Sequence, residues 1–207
     1  MTSPKALRRD ARDNIAKLRA AALEVFSAKG LNAPLDEIAQ IAGVSIGTLY
    51  NRFGSREALI NAVLPDVAGH RLQSLRSDVE AQPTARGRLE AFVRGMIALQ
   101  QDDPALNDAI LRRFPDATAV QGVCEVSTAL GRQLVRDAHQ EGSLAPDFTE
   151  DDLLRLLWLA GTASREPSRP AGWQRILDRA LASAWLDCAE QPSVAPQPRN
   201  GTAEPTA

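Results

Sequence analysis

The sequence predicts an all-α protein of about nine helices, in which a three-helix head with a helix-turn-helix precedes a larger helical bundle. Apolar residues recur at spacings of three and four along most of the 207 residues, which is typical of amphipathic helices. Glycine, proline and short polar stretches interrupt this period where helices should end. We place the head at residues 11–54 and the bundle at 55–189. A flexible basic arm at 1–10 and a disordered, proline-rich tail at 190–207 would flank them.

The first helix is expected from about Ala11 to Lys29, because Gly30 suits the left-handed residue that ends a helix. Upstream of it, Arg8, Arg9 and Arg12 would form a basic arm along DNA phosphates or in a minor groove, as homeodomain arms do. An ordinary frayed terminus is the alternative. One face of the helix carries the apolar side chains that would support the next two helices: Ile15, Leu18, Ala22, Val25 and Phe26.

Two short helices are predicted on either side of Gly43. This glycine suits the left-handed residue that ends the first of them, and Ser45 can cap the second by accepting a hydrogen bond from a free backbone N–H. Val44, Leu49 and Phe53 would anchor the second helix on the first. Two short helices joined at a steep angle by such a turn form a helix-turn-helix, whose second helix enters the major groove of DNA.

The outer face of the second helix suits contacts with DNA. Thr48 and Tyr50 carry hydroxyls for phosphate oxygens, and Asn51 can pair with the N6 and N7 atoms of adenine. Arg52 and Arg56 carry positive charge for the phosphate backbone. A polar outer face is also what any amphipathic helix pair presents. The predicted DNA-binding residues are Ser45, Ile46, Gly47, Thr48, Tyr50, Asn51, Arg52 and Arg56.

The stretch from Gly43 to Ile60, which reads GVSIGTLYNRFGSREALI, resembles the DNA-binding signature of TetR-family transcriptional regulators. The resemblance extends in detail from near Arg12 to Val63, and beyond that it is one of length and helical layout. It implies an all-helical homodimer that binds a near-palindromic double-stranded DNA operator through its head. It also implies a C-terminal domain that dimerises and binds a small-molecule effector, with release of a repressor from its operator as the expected response.

Three positions depart from the family's pattern. Asn32-Ala33-Pro34 stands where a capping Thr or Ser is usual, although Pro34 suits the first position of a helix. Asn51-Arg52 replaces the usual basic or aromatic residue followed by His, and Arg56 replaces the commoner Lys. These positions tune the operator sequence, so the resemblance implies their roles and no particular operator.

The fourth helix is expected from Ser55, whose hydroxyl can cap it, to about Ala81. Pro65 predicts a kink near Leu64, because proline removes a hydrogen bond and clashes with the preceding turn. We hypothesise that effector binding shifts this helix, since it begins beside the DNA-reading helix and ends in the body.

Five further helices are expected in the body. The first covers 84–101, and the second begins at Asp103-Pro104 and ends at Arg113. The third follows Phe114-Pro115-Asp116 and ends at about Gly142. The fourth begins at a capping box formed by residues 149–152, and the fifth extends from Pro170 to beyond Leu181.

The candidate effector pocket consists of soft or aromatic residues on helices that should face one another. Each of them is, taken singly, an ordinary core residue of a helical bundle, so the pocket assignment depends mainly on the resemblance. The candidates are Phe92, Met96, Leu99, Cys124 and Trp158.

The last two helices carry apolar residues on more than one face, which favours burial against a partner. The resemblance makes that partner a second copy in a two-fold four-helix bundle, and a simple central core is the alternative. The candidate interface residues are Leu154, Leu157, Trp173, Leu177, Leu181 and Trp185.

Charge is distributed unevenly along the chain. Residues 1–60 hold nine basic and six acidic residues, whereas the remainder holds fifteen basic and twenty acidic ones, for a net charge of −2. A basic head on an acidic body would orient the protein on a duplex.

Other classes of protein find little support in the sequence. No run of about 18 apolar residues and no signal-peptide pattern occurs, so we expect a cytoplasmic protein with no membrane contact. Cys124 and Cys188, with His70 and His139, have no metal-ligand spacing, and we interpret both cysteines as buried small hydrophobes. We expect no metal, no cofactor and no catalytic residues, because no nucleophile-and-base spacing or phosphate-binding glycine motif is present.

One alternative keeps the DNA-binding head but makes the body a protein-interaction module with no small-molecule effector. A closed apolar pocket of about 300 Å³ or more would distinguish the two hypotheses.

Overall fold

The computed structural model describes the backbone of residues 4–111 and 113–186, and the side chains of those residues from Arg12 onward. Within these ranges the chain forms nine α-helices, which confirms the predicted all-α fold. They are α1 Pro4–Lys29, α2 Leu35–Ile41, α3 Ile46–Phe53, α4 Arg56–Glu80, α5 Ala85–Asp102, α6 Pro104–Ile110, α7 Thr118–Glu141, α8 Glu150–Arg165 and α9 Gln174–Ser183.

The predicted helix ends are confirmed where a cap or a left-handed glycine marks them. Gly43 ends the α2 turn with a φ of 69°. The hydroxyls of Ser45 and Ser55 each accept a hydrogen bond from the backbone N–H three residues ahead, at 3.2 Å in both cases. Thr149 and Asp152 form the expected capping box at the start of α8. Local sequence therefore determines where these helices begin and end, because each cap satisfies a backbone group that the helix cannot.

Several boundaries differ from the prediction. α1 begins at Pro4 and not near Ala11, while the side chains of Arg8 and Arg9 lie outside the described residues, so the arm's contact with DNA stays a prediction. Pro34 is the residue before α2 and not its first helical residue. α9 begins at Gln174, after a run of three turn residues, 171–173, that follows Pro170. The predicted tail and Cys188 lie outside the described residues.

Two clusters of buried apolar side chains hold the fold together. The head cluster combines α1–α3 and the first half of α4 with α6 and the start of α7; its largest fully buried members include Leu18, Phe26, Ile38, Leu49, Leu59, Leu64 and Leu106. The body cluster combines the second half of α4 with α5, α7, α8 and α9; its members include Leu75, Leu89, Phe92, Met96, Leu134, Leu153 and Leu181.

α4 is the helix that contributes to both clusters. Leu59 and Val67 belong to the head cluster, and Leu75 and Val79 to the body cluster, with Pro65 inside one uninterrupted helix. The head is therefore not packed separately, because α6 and α7 of the body share its core. Within the described residues, no helix has the length and apolar character that a membrane crossing needs.

Candidate DNA-binding face and effector cavity

α3 is fixed to the head by one buried face. Leu49 is fully buried, and Val44 and Phe53 are half-buried against the head cluster, as their spacing predicted. On the other side, Tyr50 is 49% exposed, and Asn51 is exposed beside it. Anchoring through a fully buried leucine holds the outer face in one orientation.

The outer side chains of α3 have no partner inside the protein. Tyr50, Asn51 and Arg52 are exposed and make no side-chain hydrogen bond or ion pair with any other described residue. The structure thus places three of the predicted DNA-binding residues on one exposed helix of eight residues. Their donors and acceptors are available to a polar partner from outside.

Gly47 lies in the first turn of this helix, where nothing within the protein requires a glycine. A methyl group added there would find no atom closer than Ser45 Oγ at 3.8 Å, and its backbone is not in the left-handed region. Glycine costs a helix about 0.5–1 kcal/mol relative to alanine. The open space at Gly47 therefore suits close approach by an outside molecule.

Three other predicted DNA-binding residues are partly used within the head. The hydroxyls of Ser45 and Thr48 lie 2.9 Å apart, and Ser45 also caps α3. Ile46, expected to touch a thymine methyl group, is half-buried against the head cluster and presents only part of its side chain.

Arg56 has a structural role that its charge alone did not reveal. Its Nη1 donates to the carbonyl oxygens of Leu31 at 2.9 Å and Ala33 at 2.7 Å, and the side chain is half-buried. These bonds tie the start of α4 to the α1–α2 loop. The predicted phosphate contact of Arg56 stays a prediction, and it would have to use the other guanidinium nitrogens.

A cavity of about 490 Å³ lies between α7 and α8, with its floor on α5 and the end of α6. Three of the five predicted pocket residues, Met96, Cys124 and Trp158, line it. Its mouth reaches the surface beside Trp158, which is 55% exposed. The cavity is therefore an open cleft and not a closed pocket, so it does not by itself distinguish a small-molecule site from a protein-interaction module.

The other two predicted pocket residues are elsewhere. Phe92 packs in the body cluster against α7, where a methyl group on Gly131 would lie 3.0 Å from its ring. Leu99 is half-buried and packs on both clusters. Helical spacing could not separate these core positions from lining positions, since both lie on inward faces.

The polar residues of the cavity were not predicted from the sequence. Ser127 and Thr128 follow Cys124 by three and four residues on α7, so the helical period from Cys124 could have found them. The charged residues Arg132, Asp151 and Arg155 line the mouth.

The charged side chains at the mouth are paired with one another. Arg132 and Arg136 contact Glu150 at 3.4 and 2.7 Å, and Arg155 contacts Asp152 at 2.9 Å and Asp151 at 3.7 Å. The two carboxylates of α8's capping turn thus neutralise the arginine that follows them on the same helix. Of these six side chains only Arg132, Arg155 and Asp151 line the cavity, and both arginines contact a carboxylate next to the rim.

The predicted interface residues divide between the protein's interior and its surface. Leu157 and Leu181 pack in the body cluster and are each 5% exposed, so they leave little surface for a partner, and their role in an interface stays a prediction. Leu154 lines the cavity, Trp173 is half-buried, and Leu177 and Trp185 pack partly on the body cluster. The large apolar side chains that α8 and α9 expose are Trp158, Leu159 at 53% and Ile176 at 71%.

α6 joins the head to the body through a buried carboxylate. Asp108 is 2% exposed, and its Oδ2 accepts a hydrogen bond from the Leu31 backbone N–H at 2.8 Å. Its Oδ1 lies 3.5 Å from Arg113 Nε. Burial raises the pKa of Asp108, although the Leu31 N–H and the neighbouring arginines act in the opposite direction.

A seam of buried amides holds α5 and α6 against α8. Gln100 Nε2 donates to the Leu157 carbonyl at 3.1 Å, and Asn107 Nδ2 donates to the Gly161 carbonyl at 3.1 Å. Gly161 permits this contact because it has no side chain: a methyl group there would lie 2.7 Å from Asn107 Oδ1.

No group of His, Cys, Asp and Glu in the described part of the chain is arranged to hold a metal ion. Cys124 is buried, as predicted.

A sequence model of the family described as "Bacterial regulatory proteins, tetR family" matches residues 18–63. The HTH-type transcriptional regulator UidR of Escherichia coli (strain K12) is 30% identical over 144 residues, which cover 66% of this chain and 72% of UidR. The HTH-type transcriptional regulator BetI of Rhizobium meliloti (strain 1021) is 30% identical over 115 residues, which cover 55% of this chain and 57% of BetI.

Solved structures extend the likeness to the whole fold. A TetR transcription regulatory protein from Mycobacterium vanbaalenii is 27% identical, with a TM-score of 0.51 and coverage of 87% of this chain and 99% of that one. The regulator FadR from Bacillus subtilis, solved in complex with stearoyl-CoA, has a TM-score of 0.59 at 16% identity and covers 82% of this chain and 98% of its own.

Proposed function

The chain belongs to the TetR family of bacterial regulatory proteins, and we propose that it is a homodimeric repressor released from a near-palindromic operator by a small molecule. The observation that carries the DNA part of this proposal is the outer face of α3. Tyr50, Asn51 and Arg52 stand on it without internal partners, and Gly47 leaves room for a groove wall.

We assign the contacts on α3 by chemistry. Asn51 reads adenine through its carboxamide, because that group matches the donor and acceptor of the adenine edge. Tyr50, Thr48 and Arg52 bond phosphate oxygens and set the register of the helix. Ser45 and Arg56 act first within the head, as a cap and as a tie to the α1–α2 loop, and their DNA contacts are secondary.

The cavity between α7 and α8 is the proposed effector site. Its volume of about 490 Å³ lies within the usual range for small-molecule sites, about 300–1,000 Å³. FadR, which shares the fold, was solved with a bound small molecule, and this supports an effector over a body that only binds proteins.

We propose that α6 couples the two sites, together with α4. Ile110 and Leu111 line the cavity, and they lie two and three residues after Asp108, which bonds the Leu31 N–H of the head. A ligand that pushes the end of α6 outward would therefore strain that bond and rotate the head. Coupling between two sites is typically about 1–3 kcal/mol, which changes affinity roughly 5- to 150-fold.

The dimer interface is proposed on α8 and α9. Leu159 and Ile176 are large, apolar and more than half exposed. Apolar surface of this kind on the last two helices suits an isologous contact with a second copy. Leu159 and Ile176 therefore replace Leu157 and Leu181 in the proposed interface.

Selection from a randomised duplex pool at two salt concentrations tests the proposal. We expect the wild-type protein to enrich a near-palindromic site, the N51A variant to lose preference at one position of each half-site, and the Y50F variant to bind the same site more weakly. Q140A is the matched control for the amide, because Gln140 is exposed on α7 in the body.

Two results would overturn the DNA-binding assignment. One is the absence of any enriched sequence with the wild-type protein. The other is an N51A variant that enriches the same site with the same base preferences as Q140A, because α3 would then not read bases through Asn51.

A further inference from the structure

We propose that the effector is an uncharged, mainly apolar ring compound with one hydroxyl group, such as a phenol or a cyclic alcohol. This inference rests on the proposed effector site between α7 and α8. It follows from three properties of that cavity: its apolar walls, its two adjacent hydroxyls and the pairing of the arginines at its rim with carboxylates.

Most of the cavity surface is hydrocarbon or sulfur. Met96 lies on its floor, Ile110 and Leu111 close one end, and Trp158 offers its indole ring at the mouth. Binding of an apolar ligand to such walls is favourable, because it removes apolar surface of the ligand and of the cavity from water. A flat ring can also stack on the half-exposed indole of Trp158.

The polar groups inside the cavity are matched to a hydroxyl. Ser127 is buried and donates its proton to the Val123 carbonyl at 2.8 Å, so its oxygen can only accept from a ligand. The hydroxyl of Thr128 lies 3.9 Å from the Cys124 sulfur, a weak partner, and can turn to donate to a ligand. A ligand hydroxyl both donates and accepts, whereas a carboxylate only accepts and an ammonium group only donates.

The arginines at the rim already contact carboxylates. Arg155 contacts Asp151 and Asp152, and Arg132 contacts Glu150. A carboxylate or an ammonium group that reached Ser127 and Thr128 would lie among uncharged side chains of the inner walls, such as Met96 and Ile110. Burial of an unpaired charge is costly, so the site selects against both.

A set of matched naphthalenes tests the proposal by calorimetry at neutral pH. The probes are 2-naphthol, 2-naphthoate, 2-naphthylmethylammonium and naphthalene itself, which share one ring system and differ in the polar group. We expect 2-naphthol to bind about tenfold more tightly than naphthalene, corresponding to about 1.4 kcal/mol for its hydrogen bonds. Both charged probes should bind more weakly than naphthalene.

Two variants test whether Ser127 and Thr128 contact the hydroxyl group of the ligand. S127A and T128V should each reduce 2-naphthol binding to near the naphthalene level and leave naphthalene binding unchanged. T162V is the matched control, because Thr162 is an exposed threonine on α8 that does not line the cavity. A thermal melt of each variant shows that it is folded.

Each contrary outcome overturns a defined claim. If 2-naphthoate or the ammonium probe binds as tightly as 2-naphthol, the class of ligand is wrong. If that charged probe also releases the protein from its operator, the proposed function as an effector-responsive repressor is supported and only the inferred ligand class is wrong. If none of the four probes binds to protein that still binds DNA, the cavity is not a site for this class. If T128V weakens 2-naphthol and naphthalene equally, the hydroxyl contact is wrong.

Discussion

The outer face of α3 and the rim of the body cavity are both polar surfaces, but their side chains are partnered in opposite ways. On α3, Tyr50, Asn51 and Arg52 have no partner among the described residues. At the rim, Arg132 and Arg155 are already paired with carboxylates. Unpaired polar groups suit a polar and charged molecule such as DNA, whereas paired arginines at the rim leave the apolar interior to determine which ligands the proposed effector site accepts.

The two arginines that follow Asn51 provide the strongest test of this comparison. R56A should lower the free energy of unfolding by about 3 kcal/mol, because two carbonyls of the α1–α2 loop lose charged hydrogen bonds of about 1.5 kcal/mol each. R52A should leave stability within about 0.5 kcal/mol of wild type and reduce the salt slope of DNA binding by about 1. Urea unfolding and DNA titrations at several salt concentrations measure both. If R56A has unchanged stability but loses DNA affinity, the structural role of Arg56 is wrong and its main role is phosphate contact.

A glycine substitution in the buried seam between α8 and α6 can be compared with one on the open surface of α3. G161A should destabilise the protein by about 2 kcal/mol, because its methyl group would press on Gln100 and Asn107 in the buried seam. Urea unfolding measures the change. A fully stable G161A variant would show that the seam has room and that α8 can move away from α6 at little cost.

The equivalent change on α3 should have the opposite effect on stability. G47A should raise the free energy of unfolding by about 0.5–1 kcal/mol, since the site is helical and open. It should also weaken operator binding, because the methyl group would lie at the groove. Unfolding and DNA binding are measured on the same preparation, and a G47A variant with undiminished operator affinity would contradict the placement of Gly47 at the groove.

The smallest expected effect concerns Asp108 and pH. Because burial raises its pKa in the folded state, the native protein holds this proton more strongly than the unfolded chain does. Asp108 therefore makes the free energy of unfolding fall as pH rises from the ordinary carboxyl pKa of about 3.9 to the raised value. D108N keeps an oxygen for the Leu31 N–H and should remove that fall. Unfolding curves from about pH 4 to pH 7 should therefore show the two proteins diverging, and parallel curves would contradict the assignment.

Much of the head and its predicted site could be derived from sequence because the relevant interactions are local. Gly43, Ser45 and Leu49 define a turn, a cap and an anchor within seven residues, and these orient the outer face of α3. The body was less predictable. Met96, Cys124 and Trp158 line the cavity but Phe92 does not, since a helical period shows that a residue faces inward and not which neighbour it meets.

The sequence by itself determined the all-α fold, the capped starts of α3, α4 and α8, and the exposed outer face of α3, because backbone geometry and helix periodicity act over a few residues. Only the tertiary structure decided that Arg56 ties a loop, that Leu157 and Leu181 are core, and that Asp108 joins α6 to the head. Each of these depends on which distant segment packs alongside, and the Asp108–Leu31 bond spans 77 positions of the chain. Such pairings arise from the competition of many apolar contacts for one close-packed arrangement, which no local pattern specifies.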